Sequence, residues 1–91
     1  MIVKVYDKPG CPKCRMTERS LNTHNIPFIQ KTLLLPNNKE YTDKKLKQFS
    51  AIGFKSFPVV KVYNDDKSMV DEWCDFRVDK LKELRNNINK G

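Results

Sequence analysis

The sequence predicts an α/β fold in which a four-stranded mixed sheet is covered by three helices, in the order βαβαββα. An alternating apolar strand followed by a turn and a helical pattern opens the chain, and this strand–helix pair then repeats. Such repetition implies parallel strands joined by right-handed crossovers. A strongly β-branched run near residue 60, followed by a turn and a second strand, predicts an antiparallel hairpin. With 91 residues, we expect one domain over residues 1–91.

The first half of the chain alternates strands with helices. The apolar run Ile2–Tyr6 predicts the first strand, and residues 12–24 predict a helix. One face of that helix carries Met16, Ser20 and Leu21, and the opposite face carries Arg15, Glu18, Arg19 and Asn22. The apolar stretch 26–35 predicts a second strand, and the Pro-Asn-Asn sequence at 36–38 predicts a loop.

The second half contains a helix, a hairpin and a final helix. Apolar residues recur at helical spacing over residues 39–52. Residues 57–63 form the strongest predicted strand, and residues 68–73 pair back on it across a turn. Residues 76–88 carry one apolar helical stripe, and Lys90-Gly91 are expected to fray.

Two cysteines, Cys11 and Cys14, lie two residues apart on the predicted turn between the first strand and the first helix. Pro12 suits the first turn of a helix, where its missing N–H needs no partner, and this places Cys11 at the N-cap. There its sulfur faces the N–H of Cys14 and the positive end of the helix dipole. We therefore expect Cys11 to be exposed, with a thiol pKa below the usual value of about 8.5, and Cys14 to be more buried. Basic residues add positive charge around this turn: Lys8, Lys13 and Arg15.

Such a pair can reduce a substrate disulfide. The Cys11 thiolate attacks, a mixed disulfide forms, and Cys14 releases it by attacking in turn. The same spacing also occurs in zinc sites, which here would need Cys74 and His24 as further ligands. No second Cys-x-x-Cys or finger-like His pair exists in the sequence. The pattern therefore favours a redox-active disulfide, with no metal and no tightly bound cofactor.

The net charge of +7, from 18 Lys and Arg against 11 Asp and Glu, suggests an alternative. A basic module with structural cysteines could bind nucleic acid. However, the basic residues are interleaved with Asp and Glu, which is typical of solvated helix faces. No apolar run approaches the roughly 20 residues of a membrane span, and no signal pattern opens the chain. We expect a cytoplasmic monomer with no membrane or nucleic-acid partner.

Pro58 opens the strongest strand, directly after Phe57. In one interpretation it is a trans proline that merely begins the strand. In the other, the Phe57–Pro58 bond is cis and leaves backbone groups of Phe57 free to pair with an incoming extended chain. The residues alone leave both interpretations open.

The Cys-Pro-x-Cys motif, the proline at the head of the third strand and the element order together resemble the thioredoxin superfamily, and glutaredoxins most closely. The resemblance covers nearly the whole chain. Residues 72–80, Glu-Trp-Cys-Asp-Phe-Arg-Val-Asp-Lys, look like the Trp-Ser-Gly-Phe-Arg-Pro-Asp-Lys segment of NrdH-redoxins. Residues 51–60 resemble their Gly-Tyr-x-x-x-Pro-Val-Val stretch. The resemblance implies a glutaredoxin-like NrdH-redoxin with a thioredoxin-like fold.

This resemblance implies that Cys11 is the nucleophile, that Cys14 resolves the mixed disulfide, and that Pro58 is a cis proline facing them. Supporting residues of the site are Lys8, Pro12, Lys13, Phe57 and Pro58. A partner surface is expected in the segment made of Trp73, Cys74, Asp75, Phe76 and Arg77, and Cys74 is a possible third thiol. Trp73, Phe76 and Arg77 would hold the hairpin and the last helix near the site. NrdH-redoxins pass electrons from thioredoxin reductase to a class Ib ribonucleotide reductase, in deoxyribonucleotide synthesis, and glutaredoxins take theirs from glutathione.

Several residues depart from these patterns. Cys74, Asp75 and Val78 replace the serine, glycine and proline of the NrdH segment. Glu72-Trp73 replaces the diglycine of glutaredoxins and is expected to crowd the backbone surface on which glutathione lies. Ser56-Phe57 replaces their Thr-Val. We therefore expect weak glutathione recognition and keep a glutathione-dependent glutaredoxin as the alternative. Cys74 is either a small half-buried side chain or a third thiol within reach of the pair.

Overall fold

The computed structural model describes residues 1–90 and has the element order predicted from the sequence. The strands are β1 (Ile2–Asp7), β2 (Ile29–Thr32), β3 (Val59–Tyr63) and β4 (Met69–Cys74). The helices are α1 (Pro12–Thr23), α2 (Lys39–Ala51) and α3 (Val78–Lys90). Gly91, the end of the tail expected to fray, lies outside the described residues. No helix within residues 1–90 is long and apolar enough to cross a membrane.

The four strands form one mixed sheet in the order β2-β1-β3-β4. β1 pairs with β2 in parallel and with β3 antiparallel, and β3 and β4 form the antiparallel hairpin. The predicted parallel first pair and the predicted hairpin are thus confirmed. Because β1 lies between two other strands, its backbone is paired on both sides. The turn that carries Cys11 leaves the sheet from this central strand.

Each face of the sheet packs against helices. On one face, valines of β1 and β3 pack with Trp73 and with leucines of α1 and α3. On the other face, Tyr6, Leu33, Phe49 and Val59 form a smaller cluster. There the Tyr6 and Phe49 rings meet edge to face, with centroids 5.2 Å apart. The two faces follow from the period-two alternation along each strand.

The second strand is shorter than the predicted 26–35 because its ends make other contacts. The N–H of Ile26 donates to a carbonyl in the last turn of α1, so this residue still belongs to the helix end. Leu34 has a φ of 59° and its N–H donates to the Thr42 hydroxyl. A left-handed residue cannot continue a strand. Ile26 and Leu33 therefore fill the core from outside the strand, whereas Leu34 is exposed.

The apolar face predicted for α1 is wrong in its rotation. The helix buries Cys14, Thr17 and Leu21, while Met16 is 47% exposed. Cys14 is buried where it forms the disulfide with Cys11. The other two buried residues, Thr17 and Leu21, follow at spacings of three and four residues and lie on the same face of the helix. Glu18, predicted on the solvent face, is half-buried as a result.

In the sequence the basic residues are interleaved with Asp and Glu, but in the fold some of them lie next to other lysines. The pair Lys39–Asp43, 3.0 Å apart across one helical turn, fits the predicted solvated face. Lys45, by contrast, lies over the rings of Tyr6 and Tyr41, 5.5 and 5.6 Å from their centroids. Burial lowers the pKa of Lys45, and four nearby lysines lower it further: Lys61, Lys4, Lys44 and Lys31. Strands and α2 thus bring together lysines that are far apart in the chain.

Candidate functional site

Cys11 and Cys14 form a disulfide at the junction of β1 and α1, with Cα atoms 5.3 Å apart. Gly10, with a φ of 68°, turns the chain out of the strand, and Pro12 is the first residue of the helix. Cys11 is the N-cap, and its Sγ accepts a hydrogen bond of 3.2 Å from the backbone N–H of Cys14. The N-cap geometry predicted from the sequence is confirmed. An N–H aimed at the sulfur stabilises a thiolate there, so a lowered pKa of the reduced Cys11 thiol stays our prediction.

Both cysteines are largely buried in the oxidised protein. Cys14 is 1% exposed, as expected for the resolving partner, but Cys11 is only 6% exposed and the expectation of an exposed residue is wrong. Its sulfur is bonded to Cys14 and lies at the wall of an open cavity of about 480 Å³. Four predicted supporting residues line this cavity with Lys55 and Ser56, namely Lys8, Pro12, Lys13 and Phe57. Cys11 is therefore accessible from solvent through this cavity.

The positive charge expected around the turn is partly compensated. The ammonium of Lys8 lies 5.3 Å from the centroid of the Phe57 ring, at the cavity wall. Lys13 instead forms an ion pair of 2.9 Å with Asp75. Arg15 is exposed on the helix surface. Among carboxylates of residues 1–90, Lys13 is thus the one of these three basic residues that has an ion-pair partner.

Asp75 connects the redox turn to the end of the hairpin. Its φ is 75°, and its N–H donates to the carbonyl oxygen of Pro58 over 2.9 Å. Its Oδ1 accepts from the Lys13 ammonium and, at 2.8 Å, from the N–H of Phe76. The hydrogen bond from Lys13 and then that from Phe76 hold the pKa of the Asp75 carboxyl below its usual value. One side chain thereby joins α1 to the segment that enters α3.

The Phe57–Pro58 peptide bond is cis, as the resemblance implies. The Pro58 side chain is fully buried directly before β3. Phe57, rather than Pro58, contributes to the wall of the Cys11 cavity.

The partner surface predicted at the end of β4 is only partly at the redox site. Trp73 is 3% exposed and packs in the core between the sheet and the helices α1 and α3, so the expected crowding of a glutathione surface by its ring is wrong. Alternation along β4 turns Trp73 inward and Glu72 to the opposite face, where its carboxylate lies 3.8 Å from Lys61.

The remaining predicted partner residues take different places. Cys74 is a half-buried free cysteine that packs against the cluster around Phe49. Phe76 packs against the larger core. Arg77 forms a bidentate pair with Asp79 on the surface, at 2.7 and 3.0 Å. Asp75 forms an ion pair with the redox turn through Lys13. A role of Cys74 as a third thiol stays a hypothesis.

Sequence reasoning missed two carboxyl groups beside the disulfide, those of Asp7 and Glu18. Asp7 is 4% exposed, and its Oδ2 accepts a hydrogen bond of 2.7 Å from the Gln30 amide. Burial, then a hydrogen bond to Asp7 and its charge, raise the pKa of Glu18 to about 8. Two signals could have found them: Asp7 shares the inward face of Val3 and Val5 in β1, and Glu18 follows Cys14 by one helical turn.

The side chains proposed for a zinc site are not gathered. Within residues 1–90, no group of three or more His, Cys, Asp or Glu side chains could hold a metal ion. His24 caps the far end of α1, where its Nε2 lies 2.8 Å from Nη1 of Arg85.

Comparison with known proteins agrees with this geometry. The glutaredoxin family model matches residues 3–67. No curated protein matches the chain significantly. Among solved structures, the glutaredoxin-like NrdH-redoxin from Escherichia coli is 23% identical, with a TM-score of 0.71 over 92% of this chain and 95% of that one. The glutaredoxin from Archaeoglobus fulgidus is 28% identical, with a TM-score of 0.67 over 90% and 83%.

Similarity of fold extends to the thioredoxins themselves. Thioredoxin f from spinach chloroplast is 17% identical and superposes with a TM-score of 0.61 over 97% of this chain and 75% of that one. The thioredoxin-like fold predicted from the sequence is thus confirmed. Because the glutaredoxin match includes the whole turn from Lys8 to Cys14 as well as Pro58, this chain belongs to the glutaredoxin family and is a thiol–disulfide oxidoreductase.

Proposed function

We propose that this protein is an NrdH-redoxin-like electron carrier. It takes electrons from thioredoxin reductase and passes them to a disulfide of ribonucleotide reductase, in the reducing environment of the cytoplasm. Cys11 attacks the acceptor disulfide, and Cys14 then displaces the reduced acceptor while the Cys11–Cys14 disulfide forms. The observation that carries the exchange step is the 3.2 Å hydrogen bond from the Cys14 N–H to Cys11 Sγ.

The choice of partners rests on sequence likeness. Residues 72–80 and 51–60 resemble the two characteristic stretches of NrdH-redoxins. The E. coli NrdH-redoxin, whose fold this chain shares, is described as having a thioredoxin-like activity profile. A carrier with that profile would be reduced by a flavoprotein reductase that inserts a protein segment into the cavity beside Cys11.

A glutathione-dependent glutaredoxin is the second candidate, and three observations favour it. The A. fulgidus glutaredoxin is the more similar of the two in sequence, at 28% identity. In addition, the Trp73 ring lies in the core and leaves the surface beside β4 open. The positive charges of Lys8 and Lys55 in the Cys11 cavity would suit the carboxylates of glutathione.

Reduction of insulin with two electron sources tests the proposal. The protein is assayed with thioredoxin reductase and NADPH, and in parallel with glutathione, glutathione reductase and NADPH. We expect turnover with thioredoxin reductase at least about tenfold above that with glutathione. Activity with glutathione alone would overturn the proposal in favour of the second candidate. Cys11→Ser serves as the control that removes turnover from either source.

The acceptor is tested separately by trapping. A Cys14→Ser variant, preloaded at Cys11 with a thionitrobenzoate leaving group, is mixed with a reduced class Ib ribonucleotide reductase large subunit. We expect a mixed disulfide that dithiothreitol reverses and that maps to Cys11. Equal adduct formation with reduced, unfolded serum albumin would show that the trap has no preference and would contradict this acceptor.

A further inference from the structure

The face of the sheet that packs against α2 is only partly covered by that helix. Tyr6 of β1 is buried there, with its ring against that of Phe49. Lys4 lies two residues earlier in β1, on the same face, and is half-buried. Its cross-strand partner in β3 is Lys61, whose side chain is 16% exposed. Two lysines therefore lie directly opposite each other at the edge of the covered area, an arrangement that is destabilising for like charges.

Three more lysines surround this pair and form the lysine cluster with it. Its members come from three strands and one helix, and all but the exposed Lys44 are half-buried: Lys4, Lys31, Lys44, Lys45 and Lys61. Lysine side chains are seldom taken out of water unless they are paired. Within residues 1–90 the cluster has one ion-pair partner, Glu72, whose carboxylate lies 3.8 Å from the Lys61 ammonium. Five positive charges are therefore set against one negative charge.

Aromatic rings hold the ammonium groups of the cluster in place. The Lys4 nitrogen lies 5.4 Å from the centroid of the Tyr63 ring, and the Lys61 nitrogen lies 5.5 Å from that of Phe49. Lys45 lies over two tyrosine rings. Such contacts stabilise an ammonium group and restrict its position, but they leave its positive charge in place. The cluster is therefore a preformed cationic surface that an anion can neutralise.

We propose that the lysine cluster binds a linear polyphosphate group, either free or carried by a nucleoside. The site is separate from the redox turn, because different residues line the cavity beside Cys11. Binding there does not depend on which proteins exchange electrons with this chain. Phosphate oxygens replace water around the ammonium groups, and their negative charges offset the repulsion between Lys4 and Lys61.

Spacing favours linked phosphates over an acidic peptide as the ligand. Lys4 and Lys61 lie on neighbouring strands, whose backbones are about 5 Å apart, and Lys31 lies on the next strand beyond Lys4. Phosphates that share bridging oxygens place several negative charges within such a distance, and lysine ammonium groups bind them as point charges. Side chains on one side of an extended peptide are about 7 Å apart, so its carboxylates match this spacing less well.

The pKa of Lys45 provides a local readout of binding. Burial, and then Lys61 and the other lysines of the cluster, lower this pKa. The uncharged groups that face Lys45 are the Tyr6 and Tyr41 rings and the Gln48 amide, whose Oε1 lies 3.4 Å from its nitrogen. A bound polyanion favours the charged ammonium, so it should raise the pKa of Lys45 towards the ordinary value of 10.5. Carbon-13 NMR of the Lys45 Cε measures this pKa with and without sodium tripolyphosphate.

Isothermal titration calorimetry with sodium tripolyphosphate at low ionic strength measures the affinity. Lys45→Gln removes one charge of the cluster, and Lys47→Gln makes the same change two residues further along α2, at an exposed position. We expect Lys45→Gln and Lys4→Gln each to raise the Kd about tenfold, and Lys47→Gln to change it less than about twofold. Urea unfolding and insulin reduction by each variant check that the fold and the redox turn are intact.

Two further ligands identify the class of anion. Binding of ATP with the same Kd as tripolyphosphate would assign the site to phosphates alone, and tighter binding of ATP would add a contact to the nucleoside. An oligoglutamate peptide should bind more weakly than tripolyphosphate. Three results would overturn the proposal: a Kd for the peptide as low as that for tripolyphosphate, equal losses of affinity in Lys45→Gln and Lys47→Gln, or a pKa of Lys45 that tripolyphosphate does not raise.

Discussion

The raised pKa of Glu18 makes the stability of the protein depend on pH in a predictable direction. Burial and the neighbouring Asp7 raise this pKa from the ordinary value of 4.5 to about 8. The folded protein therefore holds a proton that the unfolded chain has released at any pH between these two values. The stability associated with this proton is fully present below about pH 4.5 and is lost as the pH rises through about 8.

The magnitude follows from the same two values. The difference between 8 and 4.5, with about 1.4 kcal/mol for each pH unit, gives an upper limit of about 5 kcal/mol. Glu18 is only half-buried, and solvent around it screens the interaction. We expect less than half of that limit, about 2 kcal/mol. Glu18→Gln mimics the protonated side chain at every pH, so its advantage over the wild type should be small at pH 5 and should reach about 2 kcal/mol at pH 9.

Urea unfolding of both proteins at pH 5, 7 and 9 measures this difference. For a chain of this size, 2 kcal/mol corresponds to a shift of the midpoint by about 1 to 2 M urea. Glu40→Gln controls for the general loss of one negative charge. A difference between Glu18→Gln and wild type that stays constant from pH 5 to 9 would refute the assignment of the proton to this carboxyl.

Three further predictions concern other parts of the molecule. Cys14→Ser should stop the reaction at the mixed disulfide, so mass spectrometry after mixing with an insulin disulfide should show a covalent adduct at Cys11, and its absence would contradict the order of attack. Phe49→Ala removes a fully buried ring and should lower the free energy of unfolding by about 3 to 5 kcal/mol, a loss that urea unfolding measures; a loss under 1 kcal/mol would show that the cluster collapses without it. Lys13→Met removes the ammonium at Asp75, so the pKa of that carboxyl should rise towards 3.8 in a carbon-13 NMR titration, and an unchanged pKa would contradict the ion pair in solution.

Local signals in the sequence were sufficient for the element order and the redox turn. Pro12 and the spacing of the cysteines fixed the N-cap of α1, since both depend on the first helical turn alone. The hairpin of β3 and β4 followed from β-branched residues around a polar turn. Such features depend on interactions within a few residues of the chain, so tertiary contacts had little influence on them.

Features that depend on packing were harder to predict. The rotation of α1 is set where Cys14 meets the sheet, and this turned Met16 outward and Glu18 inward. Burial of Cys11 depends on walls supplied by Phe57, far away in the chain. Trp73 illustrates the same point, because the residue type suggested a surface contact while strand alternation placed the ring in the core. Each difference arises from contacts between elements that no local pattern specifies.

The interior position of β1 has a consequence for how this carrier meets other proteins. Neighbours on both flanks restrain the strand, so the tip that leads into α1 is ordered before any encounter. This turn then loses little conformational entropy when a partner binds, so most of the conformational entropy lost at the contact is that of the partner chain. A turn that is ordered in advance thus lowers the entropic cost of binding on this side of any interface that it forms.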